Sequence, residues 1–330
     1  MLAVGCGGAD RSRSEGDLEA VASEAQQAII LVSDDQGEVV VSAGEVGGRP
    51  LEGDDVFLIG SATKMMTAVE VLRLADQGKI GLDDLLADYV EFEVATPITI
   101  RHLLQHTSGL NDSDSFYSCD LEEVMEGLAS VAAQPVSEPG ASALYSTNGF
   151  NMLSLVIASA TGRDTNEVFR EDLFEPLGMT STYFTEAEAG PEDPDAVVVL
   201  DGIDENRPQP CPSDELAIGT GGGFASSVQD LDVFVRALFD GELLTETSLN
   251  AMTTVGSQVF GYDYGLGIGV LTFPVTGETP VYGHWGVFGW NAGVIYDPVR
   301  QRTVAALTPG GRFEHVVERA FEWAEDRPNR

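Results

Sequence analysis

Strand-like segments stand at both ends of this chain, and a long run of helical segments separates them. A sheet assembled from both ends, with the helical stretch inserted as a lobe, fits that order, because every apolar face needs another layer to bury against. Near the N-terminus, residues 29–33 and 38–42 flank Asp34-Asp35-Gln36-Gly37, a hairpin signal. Towards the C-terminus, residues 264–271, 281–284, 290–296 and 303–307 read as strands. Residues 17–28, with Leu18, Val21 and Ala25 on one face, and residues 313–326 are the expected terminal helices. Residues 56–59 form a short extended approach to a helix over 62–77, which has Met65, Val69 and Leu72 on one face and stops at Gly78. Further helices are expected over 82–89, 100–105, 121–133, 150–161, 167–173 and 229–239. The expected class is α/β (α+β), a mainly antiparallel sheet flanked by terminal helices with an inserted helical lobe. Residues 17–78 and 225–330 would form the sheet lobe and 79–224 the helical lobe, behind a leader and linker over 1–16. The junction of two lobes is a natural cleft for a small-molecule site.

Composition narrows the function classes. The chain has 330 residues, which suits one or two domains. Hydrophobic residues make up 43%, enough for a full core, so a wholly disordered chain is excluded. The longest apolar runs, at 28–32 and 153–160, fall far short of the roughly 20 residues of a membrane-spanning helix. Lys+Arg number 17 against 54 Asp+Glu, a net charge of −37. That charge repels phosphate, so neither nucleic acid nor an anionic membrane surface is an expected partner.

Met1-Leu-Ala-Val-Gly-Cys6 is short and apolar, and residues 7–16 form a polar linker. Small residues before a cysteine and a polar stretch after it resemble a bacterial lipoprotein box, whose cysteine is lipidated. Ala3 stands where Leu is usual, and no basic segment precedes it. The resemblance implies export to the cell envelope or beyond, with a lipid on Cys6 as the membrane attachment. Cys119 and Cys211 would then either pair or stay as two thiols, since spacing does not give their separation.

Ser61-Ala-Thr-Lys64 is the sharpest chemical signal. On a helix, positions three apart share a face, so the lysine amine can reach the serine hydroxyl. A serine at a helix start also lies where the dipole favours a developing alkoxide. A lysine removed from water loses its proton more easily and can act as a base. Any serine can have a lysine three residues on, on a solvated surface. The chain has two lysines, Lys64 and Lys79, and one falls at this spacing. The second signal is Leu144-Tyr145-Ser-Thr147-Asn-Gly-Phe150, where Tyr145 either carries a proton or anchors the loop. The third is Gly283-His284-Trp-Gly286-Val287 at the end of an expected strand. There His284 would face Ser61 as a hydrogen-bonding, potentially positive group, unless it is simply a structural strand histidine. Gly286 would let a substrate backbone lie close to the strand edge.

The three motifs in this order resemble the serine β-lactamase and penicillin-binding protein superfamily. The resemblance is closest to its class C β-lactamase, D-Ala-D-Ala carboxypeptidase and esterase branch, and it spans nearly the whole chain. Phe57-Leu-Ile-Gly-Ser-Ala-Thr-Lys64 and Ile98-Thr-Ile-Arg-His-Leu-Leu-Gln-His-Thr-Ser-Gly-Leu110 match, as do Phe174-Glu-Pro-Leu-Gly-Met179 and Gly221-Gly-Gly-Phe-Ala-Ser-Ser-Val-Gln-Asp-Leu231. The resemblance implies that Ser61 is the acylated nucleophile and that Lys64 and Tyr145 share the proton traffic, leaving open which is the acylation base. It puts His284 where many members have Lys, and the oxyanion hole at the N–H groups of Ser61 and Val287. The family usually has Asn two residues after the tyrosine. Thr147 stands there, with Asn148 one place late, which leaves ester hydrolysis less affected than amide recognition.

The resemblance implies a serine hydrolase that forms a covalent acyl-enzyme with a small-molecule or peptide acyl substrate and needs no metal or organic cofactor. The substrate would be an ester or a D-amino-acid peptide first, with a β-lactam-like amide below them. The alternative is a non-catalytic surface lipoprotein on the same fold. His102 and His106 have a zinc-like spacing, but the segment lacks a metalloprotease glutamate and the family motif accounts for both. Gly219–Gly223 and Gly265–Gly269 lack phosphate-loop spacing.

The two lysines and the acidic patches at 186–188, 191–195 and 201–205 also suit a salt-adapted surface. Molar salt shortens the Debye length to about 3 Å and screens the self-repulsion. The melting temperature is therefore expected to rise from low to molar salt, and a scanning-calorimetry series in NaCl checks it. A flat or falling series removes salt adaptation.

Overall fold

A computed structural model describes residues 14–46, 48–112, 121–185, 219–287, 290–309 and 312–325. Cys6 and its leader, Cys119, Cys211 and the acidic stretches at 186–205 lie outside the described residues. Strands β1 (Ala28–Asp34) and β2 (Gly37–Ala43) pair antiparallel across the expected turn, where Gly37 takes a φ of 105°. The other end of the chain adds β3 (Ser257–Val259), β4 (Tyr262–Tyr264), β5 (Gly269–Leu271), β6 (Val281–Val287), β7 (Trp290–Asp297) and β8 (Arg302–Pro309). All eight form one antiparallel sheet in the order β2-β1-β8-β7-β6-β5-β4-β3. The two ends of the chain therefore meet at β1 and β8.

Strand β1 is buried along its whole length because both faces of the sheet are covered. Alternate side chains point to opposite faces. Ile30 and Val32 pack with helices α1 (Glu15–Glu24) and, at the far end of the chain, Phe313–Glu325. Ile29 and Leu31 join a second core with α2 (Thr63–Asp76) and α3 (Thr147–Thr161). Eleven of the 14 residues of α2 are buried, so this helix lies inside the molecule. Arg302, 9% exposed, reaches Asp34 at 3.3 Å and Glu325 at 2.9 Å, which ties the first strand to the last helix.

The structure corrects several expected elements. Helix α1 ends at Glu24, because Gln26 adopts a left-handed φ of 73° and the chain turns into β1. Residues 82–89 are not a helix. Their backbone bonds cross to another segment, with Leu86 N donating to Ile98 O at 2.8 Å and Arg101 N to Leu82 O at 2.8 Å. The Asp84 carboxylate accepts from Gly81 N at 2.6 Å, so only Leu86–Asp88 makes a 3₁₀ turn. Residues 264–271 are two strands. Between them Gly267, at φ 71°, donates its N–H to Leu104 O at 2.9 Å, and Leu266 and Ile268 are buried. Helix Glu246–Thr253 and strand β3 went unread in the sequence.

A small antiparallel sheet joins Phe57–Leu58, Phe224–Ser226 and Tyr183–Phe184. It anchors the approach to Ser61. Phe224 sits at the centre of an aromatic cluster, 4.9 Å from Phe169, 5.3 Å from Phe174 and 5.0 Å from Phe184 between ring centroids, all edge-on. Truncating it opens a cavity under the site. Phe224→Ala is expected to lower the unfolding free energy by about 3–5 kcal/mol, read from urea denaturation.

Candidate active site

From strand Phe57–Leu58 the chain passes through Gly60, at φ 51°, into the 3₁₀ turn Gly60–Ala62 and then α2. That turn presents Ser61 half-buried at the start of the helix, and Lys64 follows one turn later, wholly buried. Lys64 Nζ lies 3.1 Å from Ser61 Oγ and 3.4 Å from Thr147 Oγ1, and it donates to the Gly221 carbonyl. The rings of Tyr145 and Phe150 close over it, with centroids 4.8 and 5.6 Å away. Burial pushes the Lys64 amine down to about 7, and the Asp112 carboxylate opposes that shift.

The Gly221 carbonyl is aimed by its own neighbours. Gly221 N donates to Asn151 Oδ1 at 2.9 Å, Thr220 Oγ1 to Phe150 O at 2.7 Å, and Thr67 Oγ1 to Thr220 O at 2.8 Å. A Cβ on Gly221 would lie 2.7 Å from Thr147 Cγ2, so the turn needs glycine to approach α3.

Helix α3 starts three residues earlier than the sequence pattern suggests. Ser146 caps it by accepting from Gly149 N at 3.0 Å, and Asp112 Oδ1 accepts from Thr147 N at 2.6 Å and Asn148 N at 3.2 Å. Thr147 therefore faces Lys64. Asn148 is turned away, its Nδ2 donating to Asn111 O at 3.1 Å. Tyr145, just before the cap, lies over His106, with ring centroids 4.2 Å apart. His106 Nδ1 accepts from Ser146 N at 3.1 Å, and His106 O accepts from Leu144 N at 2.7 Å, so this turn is the bed of the tyrosine segment. Burial holds His106 well below its usual range, as a neutral ring. His102 instead accepts from Thr99 N at 3.2 Å, so the two histidines serve separate backbone sites.

On β6, His284 is buried and lines the same cavity as Ser61. Its Nδ1 is 2.9 Å from the Trp285 carbonyl, which only accepts, so Nδ1 carries the proton. Its Nε2, 3.0 Å away, then accepts from the Tyr264 hydroxyl. Burial pushes His284 down to about 3, with Lys64 adding to the shift. The expectation of a potentially positive His284 is thus replaced by a neutral imidazole. Gly286 has a use the sequence reading did not foresee. A Cβ there would fall 2.0 Å from Ile59 O and 2.5 Å from Ser61 N, so the turn carrying Ser61 rests on this glycine. Val287, the next residue, is 65% exposed at the rim.

Ser61, Tyr145, His284 and Val287 converge on one mainly apolar cavity of about 280 Å³, while Lys64 and Thr147 stand behind Ser61. No group of three metal-ligating side chains occurs among the described residues. Asp112, Asn151 and Tyr264 are site residues that were not singled out from sequence, and His106 and Gly221 were named there only within matched segments and not as site residues. The surviving signal was that four of the five lie in or beside segments already matched to family motifs.

A sequence model of the Beta-lactamase family matches residues 18–325. The chain belongs to the Beta-lactamase family. Among family relatives it is 32% identical over 187 residues to the D-alanyl-D-alanine-carboxypeptidase/endopeptidase AmpH of Escherichia coli, covering 52% of this chain and 46% of AmpH. It is 29% identical over 324 residues to the esterase EstB of Burkholderia gladioli, covering 82% of this chain and 80% of EstB. The octameric penicillin-binding protein homologue of Pyrococcus abyssi has a similar fold, with a TM-score of 0.79 at 22% identity over 96% of this chain and 78% of that one. The first curated relatives are matched over about half their own length. Thr147 lies next to the lysine, and Asn148, one residue on, is directed to Asn111 instead.

Gly286→Ala is expected to lower stability by about 1–3 kcal/mol and to slow labelling of Ser61 by a serine-directed acylating probe, because the added methyl group displaces the turn. Thermal melts and probe labelling together check this.

Proposed function

We propose that the protein is a serine hydrolase that works through an acyl-enzyme on Ser61, with an ester as first substrate class and a D-amino-acid peptide or β-lactam-like amide as second. The observation that carries the reading is the wholly buried Lys64 with its Nζ 3.1 Å from Ser61 Oγ. A neutral amine keeps two N–H donors and one lone pair. Thr147 Oγ1 and the Gly221 carbonyl accept the two N–H groups, and the lone pair turns to the Ser61 hydroxyl. Ser61 Oγ then attacks the substrate carbonyl carbon while its proton passes to Nζ. The N–H groups of Ser61 and Val287 receive the oxyanion. The bond from carbon to the leaving oxygen or nitrogen breaks, and the leaving group takes the proton from Lys64. Water attacks the ester on Ser61 with its proton drawn through Lys64 and Tyr145, which releases the acid and restores the serine. Thr147 supports esters over amides, because a hydroxyl replaces the amide donor usual in the family. A place outside the cytoplasm, with a lipid on Cys6, belongs to the same proposal and rests on residues 1–16.

The test is p-nitrophenyl acetate hydrolysis from pH 5 to 9 in high salt. Lys64 must be neutral to accept the proton, so kcat/KM is expected to rise with pH through about 7 and then level. Ser61→Ala is expected to remove turnover by about a thousandfold or more with an unchanged circular dichroism spectrum. Turnover that survives in Ser61→Ala, or a folded wild type with none, overturns the reading.

A further inference from the structure

The hairpin that joins β3 to β4 has a two-residue loop, Phe260-Gly261, between the paired residues Val259 and Tyr262. Both loop residues have positive φ, 51° at Phe260 and 87° at Gly261. Such a turn favours Asn, Asp or Gly at its first position, and a phenylalanine there is held in a backbone conformation that its Cβ disfavours. Burial does not compensate, since Phe260 is 79% exposed. Its ring instead lies 5.0 Å from the Tyr145 ring, at the edge of the cavity beside Ser61. An outlier of this kind at a site points to a role in the site.

We propose that this cavity receives an uncharged, apolar acyl group, aromatic rings included, and that Phe260 is the residue that selects it. The inference rests on the serine-hydrolase reading, because the acyl group stays on Ser61 and fills the space next to it. Val259, Phe260, Tyr264 and Leu271 supply apolar wall, and no Lys or Arg lines the cavity among the described residues. Of the undescribed segments, 113–120, 288–289 and 310–311 contain no Lys or Arg, and Arg11, Arg13, Arg207, Arg327 and Arg330 fall in the others. His284 is a neutral ring with both nitrogens engaged, Asp263 accepts from the Gln258 amide, and Glu314 accepts from the Tyr262 hydroxyl. A carboxylate carried on the acyl group would lose water here without a cationic partner. The net charge of −37 opposes it further at low salt.

Three p-nitrophenyl esters with one leaving group test this: acetate, phenylacetate and hemisuccinate. The wild type is expected to show its highest kcat/KM with phenylacetate and a value about tenfold lower or less with hemisuccinate. Phe260→Asn suits the turn, so its melting temperature should hold or rise while KM for phenylacetate rises about tenfold and KM for acetate stays within about twofold. Equal or better use of hemisuccinate, or a uniform change in both neutral esters, overturns the inference. In Ser61→Ala, ligand-observed NMR compares phenylacetamide with 4-carboxyphenylacetamide, which adds a carboxylate to the same apolar group. Binding of phenylacetamide alone supports the cavity assignment even where no ester is turned over, an outcome that removes the hydrolase reading and keeps the pocket. Binding of neither compound, or equal binding of both, overturns the inference.

Discussion

An amine held entirely away from water is the constraint on which the rest of this structure depends. Burying Lys64 without a carboxylate on its nitrogen is tolerable only if its protons find oxygen atoms and its charge is easily lost. Those oxygens come from three separate parts of the chain: its own helix turn at Ser61, the start of α3 at Thr147, and the glycine turn at Gly221. Each of these is held in turn. Asn151 holds the Gly221 amide, Thr67 holds Thr220, and Asp112 holds the first amides of α3. The same contacts that satisfy the lysine therefore fix the relative positions of Ser61, Tyr145 and the glycine turn.

The sheet completes this arrangement by letting backbone approach backbone. Gly286 gives the Ser61 turn a flat place on β6, and β5 pairs with β6 only at Val281–Gly283, so residues 284–287 reach the cavity beyond the end of β5. Helix α2 can sit so close to the sheet because nearly all of its surface is buried and it carries few charges. Glu70, one of those few, pairs with Arg73 at 2.7 Å, and burial still pushes its carboxyl up to about 7.

An aromatic series runs beneath the cavity from His284 through Tyr264, His106 and Tyr145 to Phe260, with successive centroids 5.7, 5.0, 4.2 and 5.0 Å apart. It keeps water from Lys64 and leaves both histidines neutral. Low polarity around the amine lowers its pKa, and low polarity in the cavity disfavours charged substrates. On the proposed reading, one physical property of the site bears on both its proton chemistry and its specificity.

Residue pattern alone determined what local forces decide. The hairpin at Asp34–Gly37, the terminal helices, the 229–239 helix and the three-residue spacing of Ser61 and Lys64 were legible because they depend on turn chemistry and helix periodicity within a few residues. Tertiary structure decided whatever depends on distant partners. Residues 82–89 have helical spacing but spend their backbone bonds on 98–101, and 264–271 breaks where Gly267 meets Leu104. The neutrality of His284, the close approach of Gly286 to the Ser61 turn and the contacts of His106 and Gly221 were not legible. They follow from burial and from contacts such as Ser146 to His106, 40 residues apart, and Lys64 to Gly221, 157 residues apart. A sequence records which groups are available, and the dielectric surroundings and close approaches that set their chemistry exist only once the chain has packed.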